Sequence, residues 1–127
     1  DFQLTACERE AFEAQLALEA GDAAKASRIA YEAMLHGAQA LLGWRMLAHD
    51  GTPDSIVAEF RAHFYDTQHF FDPFAGGRFG QYFFRAHETA EESKTEEQVH
   101  RLIEETQLFI EGCHACYLKL SAAPVAV

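Results

Sequence analysis

Helix-forming residues run almost unbroken between very few stop signals, and that feature constrains this chain most. Proline stands only at Pro53, Pro73 and Pro124, and the glycine signals gather at Gly21, Gly51 and the pair Gly76-Gly77. Between them the residues are mostly Ala, Glu, Leu, Gln and Arg, strong helix formers with almost no β-branched alternation. A chain written this way is all-α.

Five helices follow from the punctuation. Helix 1 is predicted from about Thr5 to Ala20, and Gly21-Asp22 stops it and starts the next. Helix 2 is predicted from Asp22 to about His49, with a core stripe of Ala23, Ala30, Met34, Gly37, Ala38, Leu41 and Ala48. Thr52-Pro53 is an N-cap and first-turn pair for helix 3. Ile56, Phe60, Phe64, Thr67 and Phe71 then share one face up to Asp72-Pro73. Helix 4 is predicted over Phe79 to Glu92, with Phe79, Phe83, Ala86 and Ala90 as its stripe. Thr95 to Gln98 is a capping box, opening helix 5. Its stripe is Val99, Leu102, Ile103, Thr106, Phe109, Ile110, Cys113, Tyr117 and Leu120. Short connections predict an antiparallel up-and-down bundle with helices 2 and 5 central. Residues 1–127 read as one domain whose last seven residues, 121–127, are a small-residue tail. Because the chain opens on Asp1, it reads as a processed product or a piece of a longer polypeptide.

Charge narrows the function classes. Ten Lys+Arg stand against twenty Asp+Glu, a net charge of −10. Affinity for a phosphate backbone or an anionic membrane comes from cations, so this balance argues against both partners. No apolar run reaches the roughly 20 residues of a membrane span, and the N-terminus lacks a signal peptide's layout. Three cysteines, an odd number, point to a reducing compartment and a cytoplasmic protein.

The residues that bear chemistry do not assemble into a motif. Cys113-His114-Ala115-Cys116 lies near the C-terminal end of its helix, where the dipole disfavours a thiolate, so these read as core cysteines. Glu97-x-x-His100 and Glu111-x-x-His114 share one helix, whereas a buried di-metal centre needs such pairs on facing helices. No metal ligand set and no cofactor is assigned. Gly76-Gly77-Arg78-Phe79-Gly80 lacks the Lys-Ser/Thr of a phosphate loop. Helix 2 does carry surplus apolar surface: Leu35, Leu42 and Met46 lie off its core line on one side and Trp44 on the other. Such an arc is either enclosed or shared with a partner.

The run Ala30-Tyr31-Glu32-Ala33-Met34-Leu35-His36-Gly37-Ala38-Gln39-Ala40-Leu41-Leu42 resembles the tyrosine- and alanine-rich helix of the HEPN family, the higher-eukaryote and prokaryote nucleotide-binding domain. Ser55-Ile56 with Phe60-Arg61 and Phe64 is similar to that family's third helix, and residues 79–91 stand where its fourth lies. The resemblance implies a HEPN-like bundle. It also implies a choice among ribonuclease toxins, partners of minimal nucleotidyltransferases and appended helical modules, and such domains commonly pair. The ribonucleases carry Arg, four to six residues, then His. Here Arg45 to His49 encloses three, Arg61 to His69 seven, and Arg78 to His87 eight.

The leading expectation is therefore a non-catalytic interaction or accessory module, a homodimer or the partner of a catalytic domain in cis or trans, such as a nucleotidyltransferase. The dimer interface is expected at Leu35, Leu42, Met46, Trp44, Phe70 and Phe74, and Leu42→Glu is expected to split it without unfolding the bundle. The alternative is a degenerate ribonuclease or nucleotide-binding domain using Arg78, Arg85 and His87 beside an anion pocket at Gly76-Gly77. A helical-bundle metalloprotein is the third reading.

Overall fold

The computed structural model describes residues 2–122. They form α1 (Phe2–Glu19), α2 (Ala23–Trp44), α3 (Pro53–Phe60), a π-helical turn at Arg61–Tyr65, α4 (Arg78–Glu88) and α5 (Glu96–Ser121). There is no strand among the described residues, only an isolated bridge between Asp72 and Gly76. Of the expected tail, Ser121 closes α5, Ala122 caps it, and residues 123–127 lie outside the described part. Helix α2 packs against all four other helices and α5 against α1, α2 and α4, so the expected central pair is central.

Local chemistry sets most of the boundaries. Gly21, at φ +86°, closes α1 with N–H bonds from Gly21 to Leu18 and from Asp22 to Ala17. The Asp22 carboxylate then accepts from Lys25 N at 3.0 Å and caps α2. Thr52 caps α3 with Pro53 behind it, and Thr95 with Gln98 completes the reciprocal capping box of α5. Helix α1 begins before Thr5 because its apolar line, Leu4, Cys7, Ala11 and Ala14, starts a turn earlier and is buried throughout.

Three further boundaries differ from the sequence expectation. Helix α2 ends at Trp44 and not at His49. Met46 takes a left-handed backbone (φ 58°) while Leu47 N bonds Leu42 O and Met46 N bonds Gly43 O, the hydrogen-bond pattern that usually has glycine at this position. Helix α4 stops at Glu88, where the Lys94 ammonium bonds the Thr89 carbonyl at 2.7 Å and that of Glu92 at 3.3 Å. Helix 3 was expected to hold one phase to Phe71. Instead the turn at Arg61–Tyr65 widens, with Asp66 N bonding Arg61 O, and Gln68 turns left-handed at φ 62°. The extra residue shifts the stripe by one position. Phe70 enters the core at 3% exposure, Phe71 is left half exposed, and Thr67, expected inside, is exposed.

The core is aromatic at one end and small-residue at the other. Phe60 touches the rings of Phe64, Phe70, Phe83, Phe84 and Phe109 at centroid distances of 5.7, 5.1, 5.5, 6.1 and 5.5 Å. Gly112 makes room for Phe70, since a Cβ there would stand 2.6 Å from its ring. Between α2 and α5 the buried Thr106 hydroxyl donates to the Leu102 carbonyl at 2.8 Å, with the Ala30 carbonyl of α2 at 3.4 Å. Gly37 lies against Cys113 and Phe109.

Candidate functional site

Two surfaces hold the chemistry this chain offers. The first begins at His87, near the end of α4. Its Nδ1 is 2.6 Å from the Tyr31 hydroxyl on α2, and its Nε2 is 2.7 Å from the Asp54 carboxylate in the first turn of α3. An ionised carboxylate only accepts, so Nε2 carries the proton; in the neutral ring Nδ1 then accepts and the phenol donates. Burial first, then the charges of Asp54 and Glu91, push the Tyr31 hydroxyl above its ordinary pKa. A phenol held protonated is a poor nucleophile, and the three groups act as a clamp joining α2, α3 and α4. Tyr31 also lines a groove of about 610 Å³ with Arg28, Glu32, Glu91, Lys94 and Leu102 among its walls.

Sequence reasoning singled out His87 but neither of its partners. Tyr31 stood inside the resemblance-bearing run without a role, and Asp54, next to Pro53, carried no reading. The structure does not bring Arg78, Arg85 and His87 together. Arg85 and His87, two residues apart on a helix, project about 200° apart. Accordingly Arg85 reaches Glu105 on α5 at 3.5 Å, while His87 faces Tyr31 and Asp54. Arg78 is exposed in the first turn of α4.

The cysteines are buried. Burial, chiefly, raises the Cys7 thiol to about 12 and Cys116 to about 11, and pushes Cys113 well above its usual value. At neutral pH, well below these values, all three stay protonated. We expect Ellman's reagent to titrate almost no thiol in the folded protein at pH 8 and all three in denaturant; rapid labelling of the native state would contradict this. His114 Nε2 is buried and 2.9 Å from a Glu8 carboxylate oxygen, without hydrogen-bond geometry. Among the described residues no three His, Cys, Asp or Glu side chains gather so as to hold a metal ion. No helix among them is long and apolar enough to cross a membrane.

The second surface lies around the C-terminal half of α5. Trp44 stands edge-on to Tyr117, with centroids 4.8 Å apart, and brings the end of α2 to the last turns of α5. There Met46 is 91% and Leu118 63% exposed, and the Arg45 guanidinium covers the Trp44 ring at 4.8 Å. Along another side of α5, a groove of about 420 Å³ opens between this helix and the 69–79 segment, walled by Phe71, Pro73, Phe79, Ala115 and Cys116. Phe74, in the same loop, is 99% exposed. The expected dimer interface is corrected here. Leu42, at 0% exposure, and Phe70 are core residues, and Leu35 is buried too, because α2 is enclosed by its neighbours over most of its arc. Met46, Phe74 and part of Trp44 reach the surface.

No protein-family model matches the chain, and no curated protein or solved structure is significantly similar to it.

Proposed function

We propose that this chain is a non-catalytic helical interaction module, HEPN-like with its helices in an antiparallel up-and-down bundle. It works in a reducing cytoplasm by pairing with a second copy of itself or with a catalytic partner domain, in cis or trans, such as the nucleotidyltransferase kind that the resemblance implies. Met46 is the observation that carries this reading. A non-glycine residue in the left-handed region costs about 1–2 kcal/mol, and this one projects an apolar side chain that is 91% exposed. Strain spent on exposing a methionine suits a surface that is covered in the working state. Trp44, two residues before Met46, packs edge-on against Tyr117 of α5, and Leu118, next to Tyr117 in the chain, is exposed. A two-fold contact needs only one such surface, since it buries against its own copy. The charge of −10 on each copy opposes approach, though physiological salt screens it beyond about 8 Å.

Light scattering at micromolar concentration tests the pairing. We expect a dimer mass for the native protein and a monomer mass for Met46→Glu, whose circular dichroism stays native because the side chain touches little of its own fold. A native protein that is monomeric under these conditions ends the self-pairing reading.

A further inference from the structure

Sulfur stands at five positions of this chain: Cys7, Met34, Met46, Cys113 and Cys116. Four of the five are buried, Cys7, Met34, Cys113 and Cys116 being 1, 0, 0 and 3% exposed. Burial also holds the three thiols protonated, and it is the thiolate that reacts with oxidants. Met46 alone stands in water, at 91% exposure. A thioether has no proton to lose, so access governs its oxidation. The backbone around Met46 does not depend on the state of that sulfur. Its N–H bonds the Gly43 carbonyl at 3.0 Å and the N–H of Leu47 bonds that of Leu42 at 2.9 Å, and neither bond uses the side chain.

We infer that Met46 is the site at which hydrogen peroxide, or another two-electron oxidant of that class, modifies this protein, and that the sulfoxide turns self-pairing off. A sulfur lone pair attacks one peroxide oxygen and the O–O bond breaks. The other oxygen leaves as water with both protons, so sulfur loses two electrons and peroxide gains them. The product carries a polar S–O group where the apolar surface was, and burying that oxygen without a donor opposes the contact. Control of pairing rests on the reading of Met46 as a residue covered when two copies meet, whereas selective oxidation follows from exposure alone. Because pairing covers the sulfur, the free copy is the one oxidised, and its sulfoxide then keeps it free. A methionine sulfoxide reductase supplied with a dithiol reverses the step: the oxygen leaves as water and the dithiol becomes a disulfide.

Treatment with hydrogen peroxide followed by tryptic peptide mapping tests the site, since cleavage after Arg45 leaves Met34 in peptide 29–45 and Met46 in peptide 46–61. In dilute protein Met46 is expected to gain one oxygen about tenfold faster than Met34, with the three cysteines still thiols. Equal rates at the two methionines, or a cysteine oxidised ahead of Met46, overturns the inference. Light scattering at micromolar concentration reads the consequence, on untreated protein first. A monomer mass there ends the self-pairing reading and the switch with it. From a dimer, oxidation of Met46 is expected to raise the dissociation constant about tenfold, and Met46→Gln to do the same without oxidant, with helical circular dichroism unchanged in both. Met46→Leu is expected to stay paired after the same treatment, and sulfoxide reductase with dithiothreitol to return the oxidised native protein to a dimer. A dimer that survives full oxidation of Met46, or a Met46→Leu dimer that peroxide dissolves, overturns the inference while the pairing itself stands. So does a protein that stays monomeric once the oxygen has been removed.

Discussion

Phe60→Ala is expected to lower the unfolding free energy by about 3–5 kcal/mol, a large part of the 5–15 kcal/mol that holds a domain of this size together. The ring of Phe60 is fully buried and is the one that five others share, on the π-helical turn, α4, α5 and the loop after the turn. Its loss leaves a cavity that cannot close without moving all of those elements, so the cost exceeds simple transfer of a side chain. Thermal melting should fall by roughly 10–20 °C. A shift of only a few degrees would mean that Phe64, Phe70 and Phe83 collapse into the space, and the aromatic cluster would then not be the fold's principal support. Phe71→Ala is the matched comparison, and its half-exposed ring predicts a much smaller change.

Leu42→Glu is expected to unfold the chain. On sequence alone the same substitution reads as a way to split a dimer, because Leu42 lies off the core line of its helix. In the structure its side chain is 0% exposed. A carboxylate there loses its hydration inside the apolar core, and the cost is above about 4 kcal/mol. The sign with pH follows from burial. The folded-state pKa of such a Glu would rise above its unfolded value of about 4.3, so the penalty is full at neutral pH and shrinks as pH falls below the folded-state pKa. Circular dichroism at pH 7 should show lost helix, with partial recovery toward about pH 4–5. A native spectrum at pH 7 would place Leu42 at a surface after all. Met46→Glu, four residues on, should keep its helix at every pH tested, since that side chain is in water.

The site was less legible than the fold, for a reason that particular residues make plain. In the sequence His87 stands out only as a member of the alternative site with Arg78 and Arg85. What gives it a role are Tyr31, 56 residues before it, and Asp54, 33 before it. Neither separation leaves a local pattern, since only the packing of α2, α3 and α4 brings the three groups within hydrogen-bond distance. Arg85, its near neighbour in sequence, faces another helix.

Where a boundary or a burial depends on residues within one turn of each other, the sequence alone determined it. The all-helical class, the caps at Asp22, Thr52 and Thr95, and the buried stripe of α5 from Val99 to Cys113 are of this kind, because periodicity and capping act over three or four residues. Tertiary structure decided the rest. It ended α2 at a methionine in a left-handed turn, and through one widened turn it exchanged Phe71 for Phe70 in the core. The reason is energetic. Burying a whole aromatic ring against Phe60 and Phe109 is worth about 1.5–3 kcal/mol, more than the local cost of one irregular turn, and no local pattern records a contact made with a helix some forty residues away.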